Sequence, residues 1–317
     1  AELEARHGPY LVDVGGFRTD DKRRLVEGCA ALTRQHFAIF RGLVEREEPH
    51  FAMLVDMGPD RLHHGLLASI LPSHPRHDPS NPFCGAGRDY YALLDREIAA
   101  TVEAAGEGAL VMVVSDHGVR PLEGGFCVNE WLAREDYLVL EETPDVPTPL
   151  DKCRVDWSRT RAWGEGGYHG RIFLNVEGRE PRGIVPPSDV RGLEDEIRVK
   201  LLALHGPDGN PMRNEVHVAR ELYPDATGLP PDLTAYFDGL SRRSIGGVGH
   251  GRLFTETNDT GPDDANHDPF GIFVISGCGA PRLGRVEGLH VTDVFQTACF
   301  ALGIAPPAGT GGRSILG

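Results

Sequence analysis

Six consecutive apolar residues, Ala109 to Val114, run directly into Ser115-Asp116-His117-Gly118. No other feature narrows the fold as much. A strand with one wet face alternates apolar and polar residues, whereas an unbroken apolar run belongs to a strand covered on both sides. The run is short for a buried helix, and Gly118 permits a sharp turn at its end. These residues therefore predict a central strand of a layered α/β domain, with the functional groups just beyond its carboxyl end.

The surrounding pattern alternates helix and strand. Asp21 to Glu48 predicts an amphipathic helix, with Leu25, Cys29, Leu32, Phe40 and Leu43 at three- and four-residue steps. Phe51 to Val55 reads as a buried strand leaving through Gly58-Pro59, and a helix starts near Asp60. Leu71 to Pro82 is a Pro-rich loop, and Asp89 to Ala105 is a second amphipathic helix closed by Gly106. Further strands are expected at Arg171 to Val176, Glu215 to Arg220, Leu233 to Phe237 and Gly271 to Ile275. Helices are expected from about Ser188 to His205 and from Thr292 to Leu302. Residues 124 to 170 break the alternation with Pro, Gly, Trp and charges, and read as an inserted cap or lid. The expectation is one doubly wound α/β/α domain over residues 1 to 317, built on a mostly parallel sheet.

At 40% hydrophobic and 25% charged residues the composition is that of a globular protein in water. The net charge of −15 argues against nucleic acid as a partner, because that affinity comes from clustered Lys and Arg. No apolar run reaches the roughly 18 residues of a membrane span, so no membrane partner is expected. The six cysteines are dispersed without a C-x-x-C pair, which suits a reducing compartment and gives the cytoplasm as the expected location. Nothing in the chain fixes an oligomeric state. An anionic substrate must be attracted locally, and bound divalent cations would reverse the field within one cleft.

Potential metal ligands fall where such a cleft belongs. Asp116 and His117 end the apolar strand, although Asp-His-Gly is by itself also an ordinary turn. Asp60 and His64 are four residues apart at a helix start, which puts them on one face. The alternative there is an acidic residue favoured by the helix dipole beside an unrelated histidine. His63 points about 100° away and is the poorer ligand. His267 lies immediately before the run Gly271-Ile272-Phe273-Val274-Ile275. His74 and His77 occupy the Pro-rich loop, His169 follows Tyr168 in the expected cap, and His250 sits in a Gly-His-Gly turn.

The ordered set, Asp-x-x-x-His, then Asp-His-Gly after a strand, then His before Gly-Ile-Phe, resembles the type I phosphodiesterase and nucleotide pyrophosphatase family of the alkaline phosphatase superfamily. Phe126-Cys127-Val128-Asn129-Glu130-Trp131-Leu132, Phe173-Leu174-Asn175-Val176-Glu177-Gly178-Arg179-Glu180-Pro181 and Pro231-Asp232-Leu233 extend the likeness along the chain. The resemblance implies a metal-dependent phosphoester hydrolase acting on a small phosphorylated substrate. It assigns Asp60, His64 and His267 to one divalent ion and Asp116 and His117 to a second. Zinc is the first choice and manganese the alternative. Apart from the resemblance, Arg179 and Arg182 are candidate phosphate forks, with solvated turn arginines the alternative, and His169, beside Tyr168 and Trp163, is a candidate cleft-lining substrate contact, with a solvated loop histidine the alternative.

The family's Thr or Ser nucleophile, and an Asp ligand after the first strand, precede the Asp-x-x-x-His motif. No residue here fits the nucleophile, and the expectation is that it lies upstream of Ala1. Asp13, in Tyr10-Leu11-Val12-Asp13-Val14-Gly15-Gly16, imitates the missing ligand. Two other functions stay open on the sequence. One is phosphomutase chemistry of the kind found in cofactor-independent phosphoglycerate mutases. The other is a metal-binding or structural protein without turnover.

Overall fold

In the computed structural model, which describes residues 2–317, helical periodicity becomes helix almost wherever the sequence carries it. In chain order come α1 (Glu2–His7), α2 (Lys22–Glu47), α3 (Gly58–Ile70) and α4 (Ala86–Ala105), then β1 (Leu110–Val114), β2 (Gly118–Pro121) and β3 (Gly124–Cys127). Next are α5 (Val128–Arg134), β4 (Ala162–Glu165), β5 (Gly170–Leu174), α6 (Val190–Leu202), β6 (Glu215–Val218) and α7 (Ala219–Leu222). The chain ends with β7 (Leu233–Tyr236), β8 (Arg242–Ile245), β9 (Phe254–Thr255), β10 (Ala265–Asp268), β11 (Phe273–Gly277) and α8 (Val291–Ala301).

Two compact units result. The first holds the chain up to Val119 and from Asp268 onward, and the second is Arg120–His267. The crossings between them fall inside β2 and β10.

In the first unit α2, capped by Asp21 through the Arg24 N–H at 3.0 Å, buries Leu25, Cys29 and Leu32. They pack with Leu62 and Leu66 of α3, Tyr90 of α4 and Val14. Gly65 permits the close approach of the helices, since a Cβ there would stand 2.0 Å from Cδ2 of Leu25. β1 pairs antiparallel with β11, Leu110 opposite Gly277 and Val114 opposite Phe273.

The second unit has its own core, including Phe126, Trp131, Tyr137, Ile172, Leu174, Ile197, Leu233 and Phe237. Its main sheet, β4-β5-β7-β6, is antiparallel throughout, with Trp163 opposite Phe173, Arg171 opposite Thr234 and Val216 opposite Ala235. β5 alternates buried and half-buried residues, and α6 inserts Leu193, Ile197 and Leu201 into the core. A smaller sheet, β8-β3-β9, contains the parallel pair β3 and β8.

The architecture is α/β, but these sheets are small and mostly antiparallel, which corrects the expected doubly wound parallel sandwich. The physical reason is that an apolar run favours burial without securing it or specifying partner and direction: β1, expected as a central strand covered on both sides, pairs with β11 in a two-stranded sheet, with Leu110 to Val113 half-buried and Val114 exposed. Phe51 to Val55 shows the same limit: it forms no strand, and Phe51, Met53 and Val55 are exposed at 54%, 72% and 67%. The stretch 124–170, expected as a cap, lies within the second unit, where β3, α5 and β4 contribute Phe126, Val128, Trp131, Leu132 and Ala162 to the core. All six cysteines are free thiols. Among the described residues no helix is long and apolar enough to cross a membrane.

Candidate metal centre

The start of α3 is fixed by a buried polar clamp. The Asp56 carboxylate accepts from the Gly58 N–H at 3.2 Å and from the Thr33 hydroxyl at 2.8 Å, and Thr33 and Tyr90 share a hydrogen bond of 2.7 Å. Burial pushes the Asp56 carboxyl above its ordinary range, against the hydrogen bonds that favour its charged form. Gly58 has no space for a side chain, its Cβ position lying 2.0 Å from Oη of Tyr90. The clamp sets the helix phase, and with it the direction of Asp60 in the first turn, where the dipole favours a carboxylate.

From Asp60, one turn along α3 leads to His64, with 3.4 Å between Oδ1 and Nε2. His64 is buried, while the Asp60 side chain is about a quarter exposed at 27%. Arg61 brackets the other oxygen: its Nη1 donates to Oδ2 of Asp60 at 2.8 Å, and its Nε and Nη2 donate to the two oxygens of Asp13, each at 2.8 Å. The guanidinium also lies 4.2 Å from the Phe17 ring centre. Asp13 is thus held on Arg61, whose hydrogen bonds keep its carboxyl below the usual range.

His117, just beyond the end of β1, comes to the same place. One of its ring nitrogens and a carboxylate oxygen of Asp60 lie within 4.8 Å of each other. The Gly118 carbonyl, 2.9 Å from Nδ1, can only accept, so Nδ1 carries the proton and Nε2 keeps its lone pair for a ligand. Nε2 is 3.6 Å from Oδ2 of Asp116, whose side chain is 85% exposed. The turn holding this pair is tightly seated: the Ser115 hydroxyl accepts from the Ile272 N–H at 2.8 Å, and a Cβ on Gly118 would stand 2.0 Å from the Phe270 carbonyl oxygen. His63 is near the group but is turned to the Tyr91 hydroxyl at 2.8 Å. Burial lowers its pKa to about 4, so it is neutral at physiological pH.

In the second unit, His267 is the last residue before the chain crosses at Asp268. Its ring stacks on Tyr168, the centroids 3.8 Å apart. His169 stands edge-on to Tyr236 at 5.6 Å, and burial lowers its pKa. Arg179 closes its fork on Asp232, at 2.7 and 2.8 Å, and donates to the Leu174 carbonyl at 2.6 Å. Arg182 lies over Trp157, 5.6 Å from its ring centre.

A carboxylate, two imidazoles and a fixed tautomer in the first unit form a donor set suited to a divalent cation. A family model described as type I phosphodiesterase / nucleotide pyrophosphatase matches residues 7–238. The chain belongs to this family. It is accordingly an alkaline phosphatase superfamily member, and the family identifies it as a hydrolase. The matched stretch includes Asp60, His64, Asp116, His117, His169 and Arg179, and ends before His267. Among curated proteins no match is found.

Of the residues singled out in the sequence, the first unit brings together Asp60, His64 and His117, with Asp116 beside His117 on the exposed side. The division of these residues between two ions is not visible in the spacing, since His117 lies as part of the Asp60 group. Arg179 is engaged in an internal ion pair, an arrangement that its position in a Gly-Arg-Glu turn did not reveal. Sequence reasoning also missed Arg61, whose partners come from Asp60 beside it and from Asp13 at a separation of 48 residues. The adjacent charge in Asp60-Arg61 was the one signal available.

Proposed function

We propose that this chain hydrolyses a small phosphorylated substrate, a phosphodiester or nucleotide-type phosphoanhydride, with divalent ions held by Asp60, His64, His117, Asp116 and His267. The observation that carries the proposal is the convergence of Asp60, His64 and His117, supported by family membership. Imidazole and carboxylate without thiolate suit zinc, with manganese the alternative. Bound ions would supply positive charge to the phosphoryl and leaving-group oxygens.

The chain's own residues prepare that site. Arg61 fixes one oxygen of Asp60 and leaves the other toward His64. The Gly118 carbonyl holds His117 in the tautomer that offers Nε2. In the overall reaction a water oxygen joins phosphorus, the P–O bond to the leaving group breaks, and the leaving oxygen takes a proton. His169 is the proposed substrate contact, while Arg179 serves the scaffold.

Metal content after dialysis against zinc or manganese, and chelator-sensitive hydrolysis of bis(nitrophenyl) phosphate, test the proposal. Bound metal should be lost in Asp60→Asn and His64→Ala. A folded wild-type chain that takes up neither ion would overturn the reading.

A further inference from the structure

We infer that Tyr168 and Asn266 are positioning residues for His267, holding its imidazole by a ring stack in the orientation that metal ligation requires. This rests on the proposed ligand role of His267.

His267 is the half-buried third residue of β10, where the strand fixes its backbone but not its side-chain torsions, and that freedom is a cost when its lone pair must point at one ion. Here the Tyr168 ring lies against it at 3.8 Å and 29°. The backbones that carry the two rings are joined by Asn266, which is fully buried. Its Oδ1 accepts from the His267 N–H at 2.9 Å, while its Nδ2 donates to the carbonyls of Tyr168 at 3.2 Å and Leu240 at 2.7 Å. One amide therefore ties the backbone of the stacking residue to the backbone of the residue stacked upon.

Two costly features surround this join. Asp238, Gly239 and Leu240 are successively left-handed, with φ of 49°, 60° and 68°. Such backbone is strained for Asp and Leu and persists only where neighbours hold it, as Asn266 holds the Leu240 carbonyl. Arg243 and Asp263 form a buried ion pair at 3.0 Å, and the guanidinium lies 4.9 Å from the centre of the Tyr168 ring. A buried pair of this kind contributes little net stability, and here it specifies where one ring lies. The strained turn and the ion pair both act on the residues that determine how His267 is presented.

The test uses cobalt(II) alone, titrated into the full chain, reading the dissociation constant and the visible absorption bands. His267→Ala is the reference. Tyr168→Leu and Asn266→Asp should weaken binding about ten-fold and alter the bands, whereas Tyr168→Phe, which keeps the ring, should stay within about three-fold of wild type. Asn266→Asp keeps an acceptor for the His267 N–H and removes the two amide donations, so it decides the matter should Tyr168→Leu not fold. Wild-type binding in folded Tyr168→Leu or Asn266→Asp, with His267→Ala impaired, overturns the positioning role and leaves the metal reading intact. Wild-type binding in His267→Ala overturns both.

Discussion

Arg179 carries two incompatible roles on paper, substrate fork or internal strut, and its pair with Asp232 separates them by measurement. Asp232 is 8% exposed, and its carboxylate accepts from the Leu174 N–H at 2.7 Å as well as from both Arg179 Nη atoms. Replacing it by Asn keeps an acceptor for Leu174 and removes the charge. The lost charge-assisted hydrogen bonds have a nominal value of about 1.5–3 kcal/mol each. Arg179 is 35% exposed and regains water, so the expected total is nearer 2 kcal/mol. Asp232→Ala also strands a buried N–H of β5, which adds about 1–2 kcal/mol. Trp131, Trp157 and Trp163 all lie in the second unit, so urea unfolding followed by tryptophan fluorescence reports the relevant region. A double-mutant cycle of Arg179→Ala with Asp232→Asn should give a coupling of about 1–2 kcal/mol. Coupling below about 0.5 kcal/mol, with Arg179→Ala raising KM at unchanged stability, would refute the strut and restore the substrate role.

Gly118→Ala should destabilise the first unit by about 1–3 kcal/mol and weaken metal uptake, because the added Cβ meets a backbone carbonyl that cannot swing aside; a wild-type melt and metal content would contradict this. Asp293 accepts from the His290 and Arg313 N–H groups at 2.8 Å each, and these bonds hold its carboxyl below the usual range. The folded pKa is depressed, so the contribution is present above the unfolded value of about 3.9 and disappears as pH falls through the folded one. Acid titration of Asp293→Asn should accordingly show a shallower loss of stability below pH ~4 than wild type. Burial pushes the thiols of Cys29 and Cys127 up to about 12, whereas Cys278 is exposed. A thiol reagent at pH 8 should therefore label Cys278 in the folded chain and reach Cys29 and Cys127 only in denaturant, as peptide mapping would show.

Helices were legible because their evidence is local. The three- and four-residue spacing of Leu25, Cys29 and Leu32, with Asp21 before them, places α2 within a residue of its observed ends. Strand pairing is not local. Gly124 to Cys127 has neither alternation nor an apolar run, yet it is the middle strand of a sheet because Arg242–Ile245 and Phe254–Thr255 come to it. Phe51 to Val55 has the composition of a strand and receives no partner. The site divides along the same line. Asp60 and His64 follow from helix geometry and His117 from its strand end, whereas the hold of Arg61 on Asp13 and the stack of Tyr168 on His267 join distant segments.

The first unit is discontinuous in sequence, but its two cut ends meet. A Cβ on Gly118 would lie 3.3 Å from that of Asp268, so the intervening half of the chain departs and returns at one point. Such a connection is a socket. Residues 120–267 carry a hydrophobic core of their own, while Asp60, His64 and His117 stand on elements outside that stretch. In descent this allows the inserted half to change what is bound without redesigning the carboxylate and imidazole cluster. In the laboratory, joining Val119 to Asp268 by a few residues would ask whether Asp60, His64 and His117 stay together without the inserted half.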